Sequence, residues 1–320
     1  MTSRPLLRSV ENAAAACRVG LLIAAWPAMT GATAAAPAPI TQIEERVNEA
    51  VRARANDPRF KGLTEQQRRE RIEFVAGNVL FAMAHEVGHM LISELGLPVL
   101  GREEEAADTF AVMNLLNMNY AFSNRVLTQS ARGWFLSDRR NEKENIPLAF
   151  YDEHALDKQR AYNIICLMVG SNPENFRELA TSTRMPEERQ RSCRADYNNA
   201  SWSWKEALAP HMRKPDQPKT TIAVNYAQSE KYPVFARGFR HILMLEEIAE
   251  RLSDRFFFRQ PFGLEMRECG EPGAHWDRST RKVTICYELC TDYERLYTRF
   301  AAAEQSAAKT TRKKRQPRLR

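Results

Sequence analysis

The feature that most constrains this chain is the pentapeptide His85-Glu86-Val87-Gly88-His89, set inside a long apolar period. Ile72, Val75, Val79, Met83, Val87, Met90 and Leu91 recur at spacings of three and four, which predicts one amphipathic helix over residues 65–95. Thr64 to Gln67 has the form of a capping box at its start, and Gly96 and Pro98 stop it. On such a helix His85 and His89 are i and i+4, so both imidazoles leave one face toward one point. Two imidazoles and a carboxylate on a nearly buried helix are costly unless they are hydrogen-bonded or bind an ion. The H-E-x-x-H spacing suits a zinc ion, with the glutamate placed to take a proton from an attacking water. His85 and His89 are therefore expected to ligate Zn2+, with Glu86 as catalytic base. Gly88 gives up about 1 kcal/mol of helix propensity relative to Ala. Close approach of another segment would account for it.

A third ligand is expected just downstream. Residues 102–120 read as a second helix, with Ala107, Phe110, Ala111, Leu115 and Met118 on its apolar face. The short connection before it makes the two helices antiparallel neighbours. Its first turn carries Glu103, Glu104 and Glu105. Glu104 is favoured as the ligand, because Asp108 then lies one turn on, where it can accept from the free ring nitrogen of a ligand histidine. Glu103 and Glu105 point about 100° to either side and read as solvated charges that suit a helix N-terminus. A second polar set, His154, Asp157 and Arg160, shares a face if residues 151–169 form one helix. It would either stabilise a developing oxyanion or form an ion-pair network that fixes this helix. Tyr287 has the same two readings, as a donor or as a core residue.

The net charge of +7 invites a nucleic-acid reading, but its location argues against one. Residues 309–320 hold seven Lys/Arg and no Asp/Glu, so the rest of the chain nets to zero. That tail reads as a solvated, disordered end, or as a weak contact to an anionic surface. Residues 1–36 have the layout of a secretory signal: Arg4, Arg8 and Arg18, then the apolar run 19–28, then Thr33-Ala34-Ala35-Ala36. The chain is expected to be exported, to periplasm or medium, and soluble after cleavage. Five cysteines follow the signal, and an oxidising compartment would pair most of them. Proximity suggests Cys166–Cys193 and Cys269–Cys286, with Cys290 left over or replacing Cys286.

The remaining chain is mixed. Residues 133–149 read as a surface loop, and 172–185 and 186–205 as helices. Three prolines within 209–219 mark a linker over 211–219. Beyond it come a strand at 220–226, an amphipathic helix at 237–255, strands at 256–267 and 282–287 flanking a turn-rich 270–273, and a helix at 289–308.

The run from Asn78 through the pentapeptide to Asp108 resembles a bacterial family of predicted metallopeptidases, domain of unknown function 4344. So do His154 to Arg160 with Cys166, and Cys269 to Asp277 with Cys286 to Leu289. The pairing of H-E-x-x-H with E-x-x-A-D is similar to gluzincin zinc peptidases. The resemblance implies an α+β fold: a mostly helical zincin-like body over 37–210, with a small hairpin-containing region over 220–308 packed on it. It implies a peptide or protein substrate, and the hairpin would serve as the strand edge that binds an extended peptide. The competing expectation is a zinc-stabilised envelope protein that binds partners without turnover.

Overall fold

A computed structural model describes residues 39–53, 56–118 and 121–301. The expected signal and basic tail lie outside those residues. The long helix sits at the centre. After α1 (Pro39–Ala53), α2 spans Glu65–Leu95, and Thr64 and Gln67 close the capping box reciprocally at 3.2 and 2.9 Å. Gly96 ends α2 in the left-handed region at φ 63°, where a side chain would be strained. Phe74, Met83, Met90 and Leu91 of α2 are fully buried, so the apolar stripe of the sequence is the core stripe of the fold.

Five helices complete the body: α3 (Glu103–Asn117), α4 (Ala121–Lys143), α5 (Asp157–Ser171), α6 (Pro173–Ser182) and α7 (Glu187–Leu208). α3 and α4 both pack on α2, and α5 packs on α4 and α7. Residues 133–143 are helical, not the start of a loop. Gly133 is inside α4 because α2 crosses there: a Cβ on it would lie 2.0 Å from Oδ1 of Asn78. Asn78 in turn donates to the carbonyls of Phe74 and Gln129, joining the two helices. α5 begins six residues later than expected, at Asp157, since Gln159 reaches back to accept from Leu156 N–H and opens the helix there. His154 therefore precedes the helix.

The C-terminal region carries β1 (Ile222–Tyr226), α8 (Pro233–Ile242), α9 (Met244–Arg255), β2 (Phe262–Arg267), β3 (Ala274–Asp277), β4 (Lys282–Cys286) and α10 (Tyr287–Leu296), which runs into a π turn at Tyr297–Ala301. The expected single helix over 237–255 is two helices, broken at Leu243, which takes φ 52°. The sheet order is β1-β2-β4-β3, with β1, β2 and β4 parallel and β3 antiparallel to β4. The two strands read as hairpin arms, β2 and β4, are thus parallel neighbours. The hairpin is β3–β4, and β3 is an edge strand directly after the turn-rich 270–273, in residues where the sequence pattern marks no element. The architecture is α+β, and the sheet lies on the same helical body: α2 packs against β3 and β4.

Two cystines tie local elements, Cys166–Cys193 between α5 and α7 and Cys269–Cys286 between the segment just after β2 and the end of β4. Cys290 is free and buried in α10. α5 and α7 also meet at Gly170, where a Cβ would stand 2.2 Å from the Cys193 carbonyl oxygen and 2.6 Å from Tyr197 Cβ. That neighbour is helix backbone and cannot swing aside. Gly170→Ala should lose about 3 kcal/mol of stability, the scale of an overpacked core. A denaturant titration with the disulfides intact measures it, and a midpoint unchanged from the parent would contradict this packing.

Candidate metal centre

The centre is built where α2 and α3 run antiparallel at unusually close range. A Cβ on Gly88 would lie 3.0 Å from Ala107 Cα and 3.3 Å from its carbonyl oxygen, so glycine opposite alanine sets the spacing of the two helices. At that spacing side chains pair in antiparallel register. His85 Nδ1–H donates to Asp108 Oδ1 at 2.8 Å, and one turn on His89 Nδ1–H donates to Glu103 Oε1 at 2.8 Å.

Pinning both Nδ1 atoms turns both Nε2 atoms inward. They lie 3.1 Å apart, and Glu104 Oε2 is 3.1 Å from His85 Nε2 and 3.3 Å from His89 Nε2. All three donor atoms fall within 4.8 Å of one another. With each Nδ1 protonated by its carboxylate contact, the Nε2 lone pairs and a carboxylate face each other, an arrangement that a cation relieves. The separations match the edge of a tetrahedron with bonds of 2.0–2.1 Å, about 3.3–3.4 Å. The residues present therefore fit a small divalent metal with N/O preference.

Each candidate ligand has its own outer partner. Asp108 serves His85 and Glu103 serves His89. His154 Nε2 lies 2.9 Å from Glu104 Oε2, with His154 Nδ1 held by Asp152 at 3.0 Å. Asp108 is itself gripped by Arg160 through Nε at 2.7 Å and Nη2 at 2.6 Å. The Arg160 guanidinium lies 3.8 Å from the centroid of the Trp134 ring. The sequence set of His154, Asp157 and Arg160 is thus divided. His154 and Arg160 reach the centre by separate routes, whereas Asp157 faces α4 and accepts from Asn141 at 2.9 Å. Tyr287 is fully buried, and its hydroxyl donates to the Ala227 carbonyl at 2.9 Å, so it serves the core.

Protonation follows these contacts. Burial alone would lower the pKa of His89, but Glu104 and Glu103 outweigh it and raise it to about 9. His85 is raised against burial by Asp108 and Glu104. Burial would raise Glu104, yet His154, His85 and His89 hold it far below the usual carboxylate range. Protons and metal thus compete for the same nitrogens. Glu86 differs. It is buried, burial raises its pKa, and the N–H of Trp276 on β3 donates to it. The edge strand therefore touches Glu86 directly. Arg281, in the β3–β4 turn, holds this strand on α2 through a bidentate pair with Glu94, both contacts at 2.7 Å.

The DUF4344 family, described as a putative metallopeptidase, matches residues 48–208 and 225–316. The chain belongs to that family. The matched segments contain the whole cluster and both cystines, so a metallopeptidase-type site is where the family likeness and the geometry meet. No curated protein and no solved structure matched the chain.

Sequence reasoning missed Glu103 as a partner of His89, and the signal for it was present. Once Asp108 is set against His85, antiparallel register carries His89 to the turn holding Glu103 and Glu104. Trp134 and the Trp276 N–H had no such signal, since each depends on an element whose course was misread. Glu103→Gln should weaken binding of a divalent metal by about 10–100-fold, the usual cost of losing a histidine's outer partner. Glu105→Gln should leave affinity unchanged, because its side chain is exposed and faces Arg102. Chelator competition on both variants measures this; equal loss in the two would refute the register.

Proposed function

We propose that the protein is a zinc-dependent peptidase of the gluzincin type, exported from the cytoplasm, with His85, His89 and Glu104 as the zinc ligands. When bound, the ion would act as a Lewis acid on the scissile carbonyl and would acidify the attacking water. The chain's own residues supply the rest. Glu86 takes the water's proton and returns it to the leaving amine, a role suited to a carboxyl whose pKa burial has raised toward neutrality. Asp108, Glu103 and His154 hold the three ligands in orientation, and Arg160 and Trp134 hold Asp108. The exposed edge of β3 offers main-chain groups to an extended peptide, beside Glu86. The Arg281–Glu94 pair keeps that edge in place.

The observation that carries the reading is Glu86. A metal site that only holds a fold needs no carboxylate beyond its ligands and the partners that orient them, such as Asp108 and Glu103. Here one is buried next to the cluster, at an energetic cost, and its backbone partner belongs to an edge strand. Donor chemistry supports zinc: two imidazole nitrogens and one carboxylate oxygen leave a fourth position for substrate or water. The two cystines support an oxidising compartment.

Glu86→Gln should keep stoichiometric zinc and its melting behaviour while peptide hydrolysis drops by about 10²–10⁴-fold. Metal analysis with a peptide-library screen on both proteins checks it. Zinc in both with hydrolysis in neither would favour the non-catalytic envelope protein, and no zinc in either would reject both. Arg281→Met should act on KM, by about tenfold at most, with kcat little changed, since it loosens peptide binding and leaves the ligands untouched.

A further inference from the structure

The back of the α2–α3 pair carries a second feature. His85 and His89 leave the front of α2, whereas Leu80, Ala84 and Val87 leave the opposite side and line a groove between α2, α3, α7 and α9. Its volume is about 510 Å3, inside the range of roughly 300–1,000 Å3 that holds small ligands. The floor is apolar, with the Phe110 ring tilted at 59° against Trp204 of α7 and the ring centroids 5.0 Å apart. The rim is not neutral. Lys205, Arg251 and Arg255 line the groove, and among the described residues no carboxylate does. Arg251 is paired with Glu247, outside the lining. Arg255 stands close enough to Arg251 for their like charges to repel. Cations lining an otherwise apolar trough favour a ligand that joins an anionic group to hydrocarbon.

We propose that this groove binds a single-chain anionic amphiphile of the fatty-acid kind, with its headgroup at Lys205 and Arg255 and its chain along Leu80, Val87, Phe110 and Leu252. The site is separate from the metal centre and does not rest on the peptidase reading. It does share helices with that centre: a ligand here touches the rear of the two segments whose front faces present His85, His89 and Glu104.

Binding is read by calorimetry and by the fluorescence of Trp204, with the full chain and with amphiphiles below their micelle concentration. Dodecanoate should bind at one per chain. Dodecanol and dodecyltrimethylammonium should bind at least about tenfold more weakly, the effect of roughly one well-placed charge contact. Affinity should rise by about fourfold for each methylene from octanoate to dodecanoate, as apolar burial requires. Dodecyl phosphate separates the headgroups: tighter binding than dodecanoate identifies a phosphate-type head, weaker binding a carboxylate, and either is anionic recognition. Lys205→Glu with Arg255→Glu, both at exposed positions, should remove the preference for the anion while circular dichroism stays unchanged. Ser201→Trp should block the chain by filling the groove. Equal affinity for dodecanoate and dodecanol, or no saturable binding, overturns the proposal. So does a dimer in sedimentation that Ser201→Trp dissociates, which would give the groove to a second copy of the chain.

Discussion

The close approach of Gly88 to Ala107 sets the geometry on which the rest depends. Two helices separated by ordinary side chains could not bring three carboxylates of one within 3 Å or so of two imidazoles of the other. With glycine opposite alanine, the α2–α3 register assigns every polar group at once: Asp108 to His85, Glu103 to His89, and Glu104 between them. Local helix propensity is weakened at Gly88 so that tertiary spacing can be met. The alternative, Ala at this position, would favour α2 by about 1 kcal/mol and separate the donors.

From that contact the support spreads outward through one polar chain. Trp134 of α4 stacks on Arg160 of α5, Arg160 grips Asp108 of α3, and Asp108 orients His85 of α2. Four helices thus converge on one ring orientation. On the other side, the sheet reaches Glu86 through a main-chain N–H, and Arg281 fixes the turn that carries this strand. The cluster lies between a helical body that carries His85, His89 and Glu104 and a sheet edge that borders Glu86.

Much of this was legible in the sequence, for reasons that separate cleanly. α2 announces itself by periodicity and caps, and the H-E-x-x-H spacing follows from helix geometry alone. The two disulfide pairs proposed from proximity are the pairs observed. α4 was partly hidden because Gly133 and its polar neighbours look like a loop unless the crossing with Asn78 is known. The break at Leu243 has no local signature, since a leucine at φ 52° is a tertiary compromise. β3 escaped because four residues are too few to show alternation and they follow a Gly/Pro-rich turn. The errors share a cause: each element is defined by what it packs against rather than by its own pattern.

The Cys269–Cys286 bond closes a loop of 17 residues that contains all of β3. Closing a loop of that size removes about 3 kcal/mol of freedom from the unfolded chain, on the entropic account. The benefit falls on the edge strand and its turn, because the helices beneath are held by their own core. Local stability is therefore divided: reduction would loosen the strand bordering Glu86 and leave His85, His89 and Glu104 on α2 and α3 in register. Thiol chemistry would thus act on the strand beside the cluster, while the cluster itself rests on helices that no disulfide of this sheet touches.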